Sequence, residues 1–149
     1  MMKYFAYGSN MNFRRMRFRN ANYKNMRRAR LYGYRLKFNK LCSSNPSEGF
    51  ANLVVDPNGI VEGVLYEMKM SDIISLDRFE GFPNQYIRIY VKPVFNGGNG
   101  VISVTYIANS IMVKDGLLPS KSYLSNLLQA KDFLSDQYYS KLLKHNTYD

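Results

Sequence analysis

Glu80 is the carboxylate in this sequence best placed for acid–base chemistry. It stands directly before Gly81 and between Phe79 and Phe82. Aromatic neighbours raise the pKa of a carboxyl group, and a glutamate that titrates nearer to neutral pH suits general acid–base catalysis. The alternative is an exposed, solvated glutamate at the end of a helix.

A second chemical feature is the opening stretch Tyr7-Gly8-Ser9-Asn10. It follows an apolar and aromatic run, which predicts a short buried strand, a turn in which Gly8 adopts backbone angles closed to other residues, and Asn10 as the cap of a following helix. Backbone N–H groups converge in such a turn, and with the helix dipole they suit an anion such as a carboxylate. The alternative is a plain turn without a ligand.

The sequence is poor in residues for nucleophilic or metal-dependent catalysis. Its only cysteine is Cys42, and its only histidine, His145, lies four residues before the last residue. A Ser–His–Asp or Cys–His site would therefore depend on that tail, and Ser9 lacks both a neighbouring base and a Gly-x-Ser-x-Gly context. We expect no metal site and no cofactor.

Composition predicts a single domain over residues 1–149, with 46% hydrophobic residues. No apolar run approaches the ~20 residues of a membrane span, and the opening does not resemble a secretory signal. We therefore expect a cytoplasmic protein with no membrane contact.

Positive charge is concentrated in the first third of the sequence. The net charge is +10, and residues 1–47 hold 12 of the 21 Lys and Arg and none of the 11 acidic residues. The basic and aromatic stretch from Arg14 to Arg30 suits either nucleic-acid binding or a solvated face that steers small anions. The second interpretation is favoured, since no nucleic-acid-binding motif is present.

Strands and short helices alternate along the chain and must position these residues. The predicted strands are Ala29–Asn39, with Tyr32, Tyr34, Leu36 and Phe38 on one face, Phe50–Val55, Ile60–Met68, Tyr86–Phe95 and Val101–Ala108. Cys42–Glu48 is a predicted loop, and Asp56-Pro57-Asn58-Gly59 is predicted to join its two flanking strands as an antiparallel hairpin. The predicted helices are Met11–Asn20, Asp72–Phe79 capped by Ser71 and stopped at Gly81, and two in the tail, starting after Ser120 and Ser135. This pattern favours a curled sheet or small barrel with helices outside.

Several motifs in order resemble one known family. The stretches YFAYGSNMN, GFANLV, GIVEGVLYEM, DIISLDRFEGFPNQYIRIYV, TYIAN and GLLPSKSYLSNLLQAK are similar to the γ-glutamylcyclotransferase family, which includes AIG2-like and BtrG-like proteins. The resemblance covers nearly the whole chain and implies an α+β fold, a small closed mixed β-barrel with flanking helices. It also implies that Tyr7, Gly8, Ser9 and Asn10 bind the γ-glutamyl group and that Glu80 is the acid/base.

The resemblance implies an enzyme that closes a γ-glutamyl amide to 5-oxoproline and releases an amine or amino acid. The α-amine of the substrate attacks its own γ-carbonyl, so no protein nucleophile is needed, and the loop amides hold either the α-carboxylate or the developing oxyanion. Tyr86 and Tyr138 are further predicted substrate-binding residues. Arg88 either pairs with a carboxylate or, in the favoured interpretation, is a solvated or structural arginine. The substrate is a small γ-glutamyl molecule of unspecified amine, and the protein is a monomer or homodimer. The alternatives are a non-catalytic small-molecule-binding protein on the same fold and a basic nucleic-acid-binding domain.

Overall fold

A computed structural model of the protein describes residues 1–149. The strands are β1 (Met2–Ala6), β2 (Met26–Cys42), β3 (Asn45–Met68), β4 (Tyr86–Val91) and β5 (Ser103–Ala108). The helices are α1 (Phe13–Phe18), α2 (Met70–Glu80), α3 (Lys121–Leu128) and α4 (Asp136–Leu143). None of the four helices combines the length and apolar composition that a membrane crossing requires.

All five strands form one sheet in the order β2-β3-β1-β5-β4. β1 and β5 run parallel, while the other neighbours are antiparallel. The sheet curls until the segment after β4 reaches β2, where the N–H of Val94 donates to Arg30 O (2.8 Å) and the N–H of Arg30 donates to Val94 O (2.9 Å). The predicted small mixed barrel with flanking helices is thereby confirmed, with β4 and β5 paired as expected but shorter than predicted.

The predicted hairpin at Asp56–Gly59 is wrong, because residues 45–68 form the single strand β3. Both halves of β3 pair with the long β2, and the ladder steps from the pair Tyr32–Ile60 to the pair Tyr34–Val55. The four residues between form a bulge opposite one residue. The turn chemistry is real, since the N–H of Asn58 donates to Asp56 Oδ1 (3.0 Å), but it bends the strand without reversing it.

This bulge also changes which side chains of β2 face the core. Gly33 is the β2 residue opposite the bulge. Its φ of +87° is a left-handed conformation that favours glycine. Before it, Leu31 is buried and Tyr32 is 54% exposed, whereas Phe38 after it is buried. The predicted common face of Tyr32 and Phe38 is therefore wrong, because the irregularity breaks the two-residue alternation.

The predicted loop Cys42–Glu48 shrinks to a turn at residues 43–44, since β3 already begins at Asn45. The polar residues from Asn45 to Glu48 belong to β3, and Asn45 pairs with Cys42 of β2. The tail helices begin as predicted: Ser120 Oγ accepts from the N–H of Tyr123 (2.9 Å), and Ser135 Oγ accepts from the N–H of Tyr138 (3.2 Å).

Helix α2 carries Glu80 as its last residue. The helix ends at Gly81 in the left-handed conformation (φ +65°), as the sequence predicts. Its first residue is Met70 with Lys69 as the cap, so the predicted cap Ser71 lies inside the helix and that prediction is wrong. Ile73 and Leu76 anchor α2 against the sheet because both are fully buried.

We expect Gly63→Ala to destabilise the fold strongly. Gly63 lies where β3 packs beside β1, and an added Cβ would stand 2.3 Å from the carbonyl oxygen of Ala6 and 2.9 Å from Phe5 Cζ. Forcing atoms into such a packed site costs about 1–3 kcal/mol or more. Urea unfolding measures the change, with Gly98→Ala as the matched control because its nearest contact would be 3.4 Å. Equal midpoints for the two variants would contradict this account of the packing.

Candidate active site

The loop after β1 directs Asn10 into the protein. Residues Ser9–Met11 make one turn of 3-10 helix, and Asn10 is buried with its Nδ2 donating to Tyr4 Oη (3.0 Å) and to Glu80 Oε1 (2.9 Å). The predicted capping role of Asn10 is wrong because this extra turn delays the start of α1. Asn12 caps α1, and its side chain accepts from the N–H of Arg14 (3.1 Å).

The backbone N–H groups of Gly8, Ser9 and Asn10 donate to no acceptor within the protein. Gly8 has a negative φ of −117°, so the prediction that it adopts a backbone conformation reserved for glycine is wrong. Space is tight here, since a Cβ would lie 3.0 Å from Ala51 Cβ and 3.3 Å from Tyr123 Oη. The loop therefore offers three free donors beside a narrow gap.

Glu80 faces this loop from the end of α2. Its side chain is only 14% exposed, and Oε1 accepts from Asn10 and from Arg19 Nη1 at 3.3 Å. Burial raises the pKa of Glu80, while the charge of Arg19 and the hydrogen bond from Asn10 offset part of that rise. Of the predicted aromatic neighbours, Phe79 and Phe82 are 49% and 37% exposed and neither lines the pocket.

Tyrosines enclose the pocket between the loop and Glu80. The pocket is lined by Tyr4, Tyr7, Gly8, Ser9, Asn10, Ala51, Glu80, Tyr86, Tyr106 and Tyr123. The Tyr7 hydroxyl donates to the carbonyl of Tyr106, and the Tyr86 hydroxyl donates to Ala51 O (2.8 Å). Burial raises the pKa of these tyrosines, that of Tyr123 to about 12, so their hydroxyl groups are neutral at physiological pH.

The structure brings together six of the seven predicted site residues: Tyr7, Gly8, Ser9, Asn10, Glu80 and Tyr86. Tyr138 lies elsewhere, on α4 beside a separate groove that also contains Glu62 and Ser135. Tyr138 therefore does not line the pocket with Glu80, because Glu62 of β3 accepts hydrogen bonds from Ser135, the cap of α4, and holds the start of that helix beside the separate groove.

Arg88 pairs with a carboxylate of the protein, outside the pocket. Its Nε lies 3.5 Å from Asp77 Oδ1, and its guanidinium stacks over the ring of Phe82.

Sequence reasoning missed Arg19, which it placed in an exposed basic stretch. Arg19 is 8% exposed, and its Nη1 donates to Asn10 Oδ1 (2.9 Å) as well as to Glu80. A signal was present in the spacing, because Arg19 lies three residues after the buried Met16 and shares its helix face. The predicted basic stripe therefore loses one member to the interior.

Neither His145 nor Cys42, the only histidine and the only cysteine, lines the pocket. The His145 ring packs against Phe38 with 4.7 Å between centroids, and Cys42 is buried with Sγ 3.3 Å from Ser44 Oγ. No three His, Cys, Asp or Glu side chains converge in a way that would hold a metal ion.

Comparison with known proteins identifies the family. The profile of the family described as gamma-glutamyl cyclotransferase, AIG2-like, matches residues 4–125. A human protein named gamma-glutamylcyclotransferase is 32% identical over 108 residues, which cover 70% of this chain and 57% of that protein. The mouse protein of the same name is 30% identical over 146 residues, which cover 95% of this chain and 76% of the relative.

Solved structures agree with these sequence matches. A structure named gamma-glutamyl cyclotransferase superposes with a TM-score of 0.87 and 28% identity, over 99% of this chain and 89% of that one. A yeast structure described as a cyclotransferase specific to glutathione shares the fold with a TM-score of 0.68 at 14% identity, over 96% of this chain and 94% of that one. Together with the family profile, these matches show that the chain belongs to the gamma-glutamyl cyclotransferase, AIG2-like family.

Proposed function

We propose that this protein is a γ-glutamylcyclotransferase in which Glu80 is the general acid and base. In the reaction the α-nitrogen of a γ-glutamyl amide bonds to its own γ-carbonyl carbon, and the amide C–N bond breaks. The products are 5-oxoproline and a free amine or amino acid. The family membership and the names of the relatives support the reaction class.

One observation carries the proposal: a buried carboxylate with a raised pKa faces three free backbone donors across a pocket without another acid. Among its lining residues, only Glu80 has an acidic side chain. Glu80 would accept a proton from the α-ammonium group, which frees the nitrogen to attack, and would then deliver that proton to the departing amine. The ring nitrogen loses a second proton as the lactam forms; Glu80, a carboxylate again, would take this proton and pass it to the released amine, which leaves as an ammonium ion. One carboxylate therefore handles both protons without a second acid.

The remaining groups of the pocket would hold the substrate in a folded conformation. Free N–H groups of Gly8, Ser9 and Asn10 suit a negatively charged oxygen of the substrate. The tyrosine rings exclude water, and folding the chain back on itself removes much of the entropic barrier to ring closure. The hydroxyl of Tyr86 is held by Ala51, so it forms a fixed wall of the pocket.

The test is release of 5-oxoproline from a panel of γ-glutamyl amides. The panel contains γ-glutamyl amino acids, γ-glutamylamines such as γ-glutamyl-lysine, and a simple γ-glutamyl alkylamide. We expect turnover of at least one member, with 5-oxoproline and amine formed in equal amounts. If no member is turned over while some bind, the protein is the non-catalytic binding protein that the sequence left open.

Activity should fall on the acid side along a limb set by Glu80. The base form of the carboxylate starts the reaction, and burial raises its pKa, so kcat/KM should decline as pH falls through a value above the ordinary glutamate pKa of about 4.3. A pH series on one good substrate measures this limb. A profile that stays flat down to the ordinary glutamate range would contradict the assignment.

A further inference from the structure

Arg15 is a half-buried cation that has no partner in the protein and lies within electrostatic range of two pocket residues, Glu80 and Tyr123. It lies on α1 one turn before Arg19, so both guanidinium groups leave the same face of the helix. Arg19 is engaged by Glu80 and Asn10, whereas Arg15 takes part in none of the four ion pairs. The Nε of Arg15 is buried and has no hydrogen-bond partner.

The residue that caps α1 contacts helix α3. Asn12, the cap of α1, donates from Nδ2 to Asn126 Oδ1 of α3 (3.0 Å), and Tyr123 lies one turn earlier on α3 and lines the pocket. Burial and the charge of Arg19 lower the pKa of Arg15, while the charge of Glu80 opposes that change. The site thus holds an extra positive charge that no protein group balances.

A γ-glutamyl amide presents two oxygen sites that a protein can bind as anions during cyclisation. The α-carboxylate is charged throughout, while the oxygen of the γ-carbonyl gains charge only as the ring closes. The protein offers two sets of uncommitted donors, the loop N–H groups of residues 8–10 and the Arg15 guanidinium. A planar guanidinium matches a carboxylate with two parallel hydrogen bonds, whereas neutral N–H groups are suited to charge that develops in the transition state.

We propose that Arg15 binds the α-carboxylate of the γ-glutamyl group and leaves the loop N–H groups for the developing oxyanion. This inference rests on the proposed function. It assigns the α-carboxylate of the substrate to Arg15 and the oxyanion that develops on the γ-carbonyl to the loop N–H groups. Arg15 is then the residue that selects a γ-glutamyl group over the same chain without its α-carboxylate. Arg19, the C-cap of α1, binds the base Glu80, and Arg15 binds the substrate.

The experiment compares γ-glutamyl-alanine with 4-aminobutyryl-alanine, which lacks only the α-carboxylate and closes to 2-pyrrolidinone. The wild type should favour the γ-glutamyl compound, and Arg15→Gln should reduce that preference in kcat/KM by about 10- to 100-fold, the scale of a lost charge-assisted contact. Arg15→Lys should retain part of the preference. Arg14→Gln is the matched control, since Arg14 is exposed on the same helix, and it should leave the preference unchanged.

Two further measurements separate the alternatives. Replacing γ-glutamyl-alanine by its C-terminal amide should change the rates of wild type and Arg15→Gln by the same factor; a selective loss on the free acid would show that Arg15 binds the leaving amino acid and would overturn the proposal. An equal loss on all substrates would overturn it in favour of a structural role.

Calorimetry measures the binding of γ-glutamyl-alanine and 4-aminobutyryl-alanine to the variant Glu80→Gln and to the double variant Glu80→Gln, Arg15→Gln. The ratio of the two affinities gives the preference for the α-carboxylate in the absence of turnover. If the wild type is inert but this binding preference depends on Arg15, the proposed function fails and the role of Arg15 stands. If the binding preference does not depend on Arg15, or neither compound binds, the role of Arg15 fails.

Discussion

Replacing Glu80 by glutamine should reduce 5-oxoproline release by about 10²- to 10⁴-fold, the range of general acid–base effects. Glutamine keeps the shape of the side chain and its acceptor oxygen, so the hydrogen bonds from Asn10 and Arg19 can persist. It cannot take a proton from the α-ammonium group. The loss should therefore appear mainly in kcat, with substrate binding largely retained.

Loss of folding is not expected to explain this effect. Burial raises the folded-state pKa of Glu80, so the stability linked to its proton is present at low pH and is lost as pH rises through that pKa. At neutral pH glutamine avoids that penalty but leaves the buried Arg19 without its anionic partner, so urea unfolding should show a variant that is less stable than the wild type yet folded under assay conditions. Glu67→Gln is the matched control, because Glu67 pairs with Lys3 away from the pocket and should keep full activity. Retained activity in Glu80→Gln would remove Glu80 from the mechanism.

Replacing Arg19 by glutamine should give the second largest effect, on both stability and pH dependence. Arg19 and Glu80 are 10% and 14% exposed, and removing one member of a buried ion pair costs about 3 kcal/mol or more. The charge of Arg19 holds the pKa of Glu80 down, so its loss should raise that pKa further. The acid limb of kcat/KM should therefore move to higher pH.

The stability change should itself depend on pH, with a defined sign. A folded pKa raised above the unfolded value favours the folded state at low pH, and this contribution disappears as pH rises through the folded pKa. Arg19→Gln should thus be destabilised more at pH 8 than at pH 4, where Glu80 is protonated. The exposed Arg17 provides the control, and Arg17→Gln should show neither effect. A destabilisation equal at both pH values would contradict the coupling between Arg19 and Glu80.

Short-range chemistry in the sequence predicted much of what positions the site. Gly81 ends α2 as expected, which sets Glu80 at the last position of the helix, and Ser120 and Ser135 cap α3 and α4. Each of these features depends on groups a few residues apart. The local sequence therefore contains all the information that they require.

Features that depend on a distant partner were not predictable in the same way. The residues Asp56–Gly59 have hairpin chemistry, but the length of β2 keeps β3 in one ladder and turns them into a bulge. Arg19 belongs by composition to the basic stretch. Its partner Glu80 is 61 residues away in sequence, and only the fold brings the two side chains together. Tyr4, Tyr106 and Tyr123 line the pocket from β1, β5 and α3, so their place in the site follows from the fold, whereas Tyr7 and Tyr86 were predicted from the family resemblance.

The most direct test of the central claim is to follow one γ-glutamyl amide through turnover in water enriched in ¹⁸O. Attack by the substrate's own α-nitrogen predicts unlabelled 5-oxoproline and one equivalent of free amine, with both lost in Glu80→Gln. Glutamate carrying ¹⁸O would show that water is the nucleophile and would contradict the proposed cyclisation.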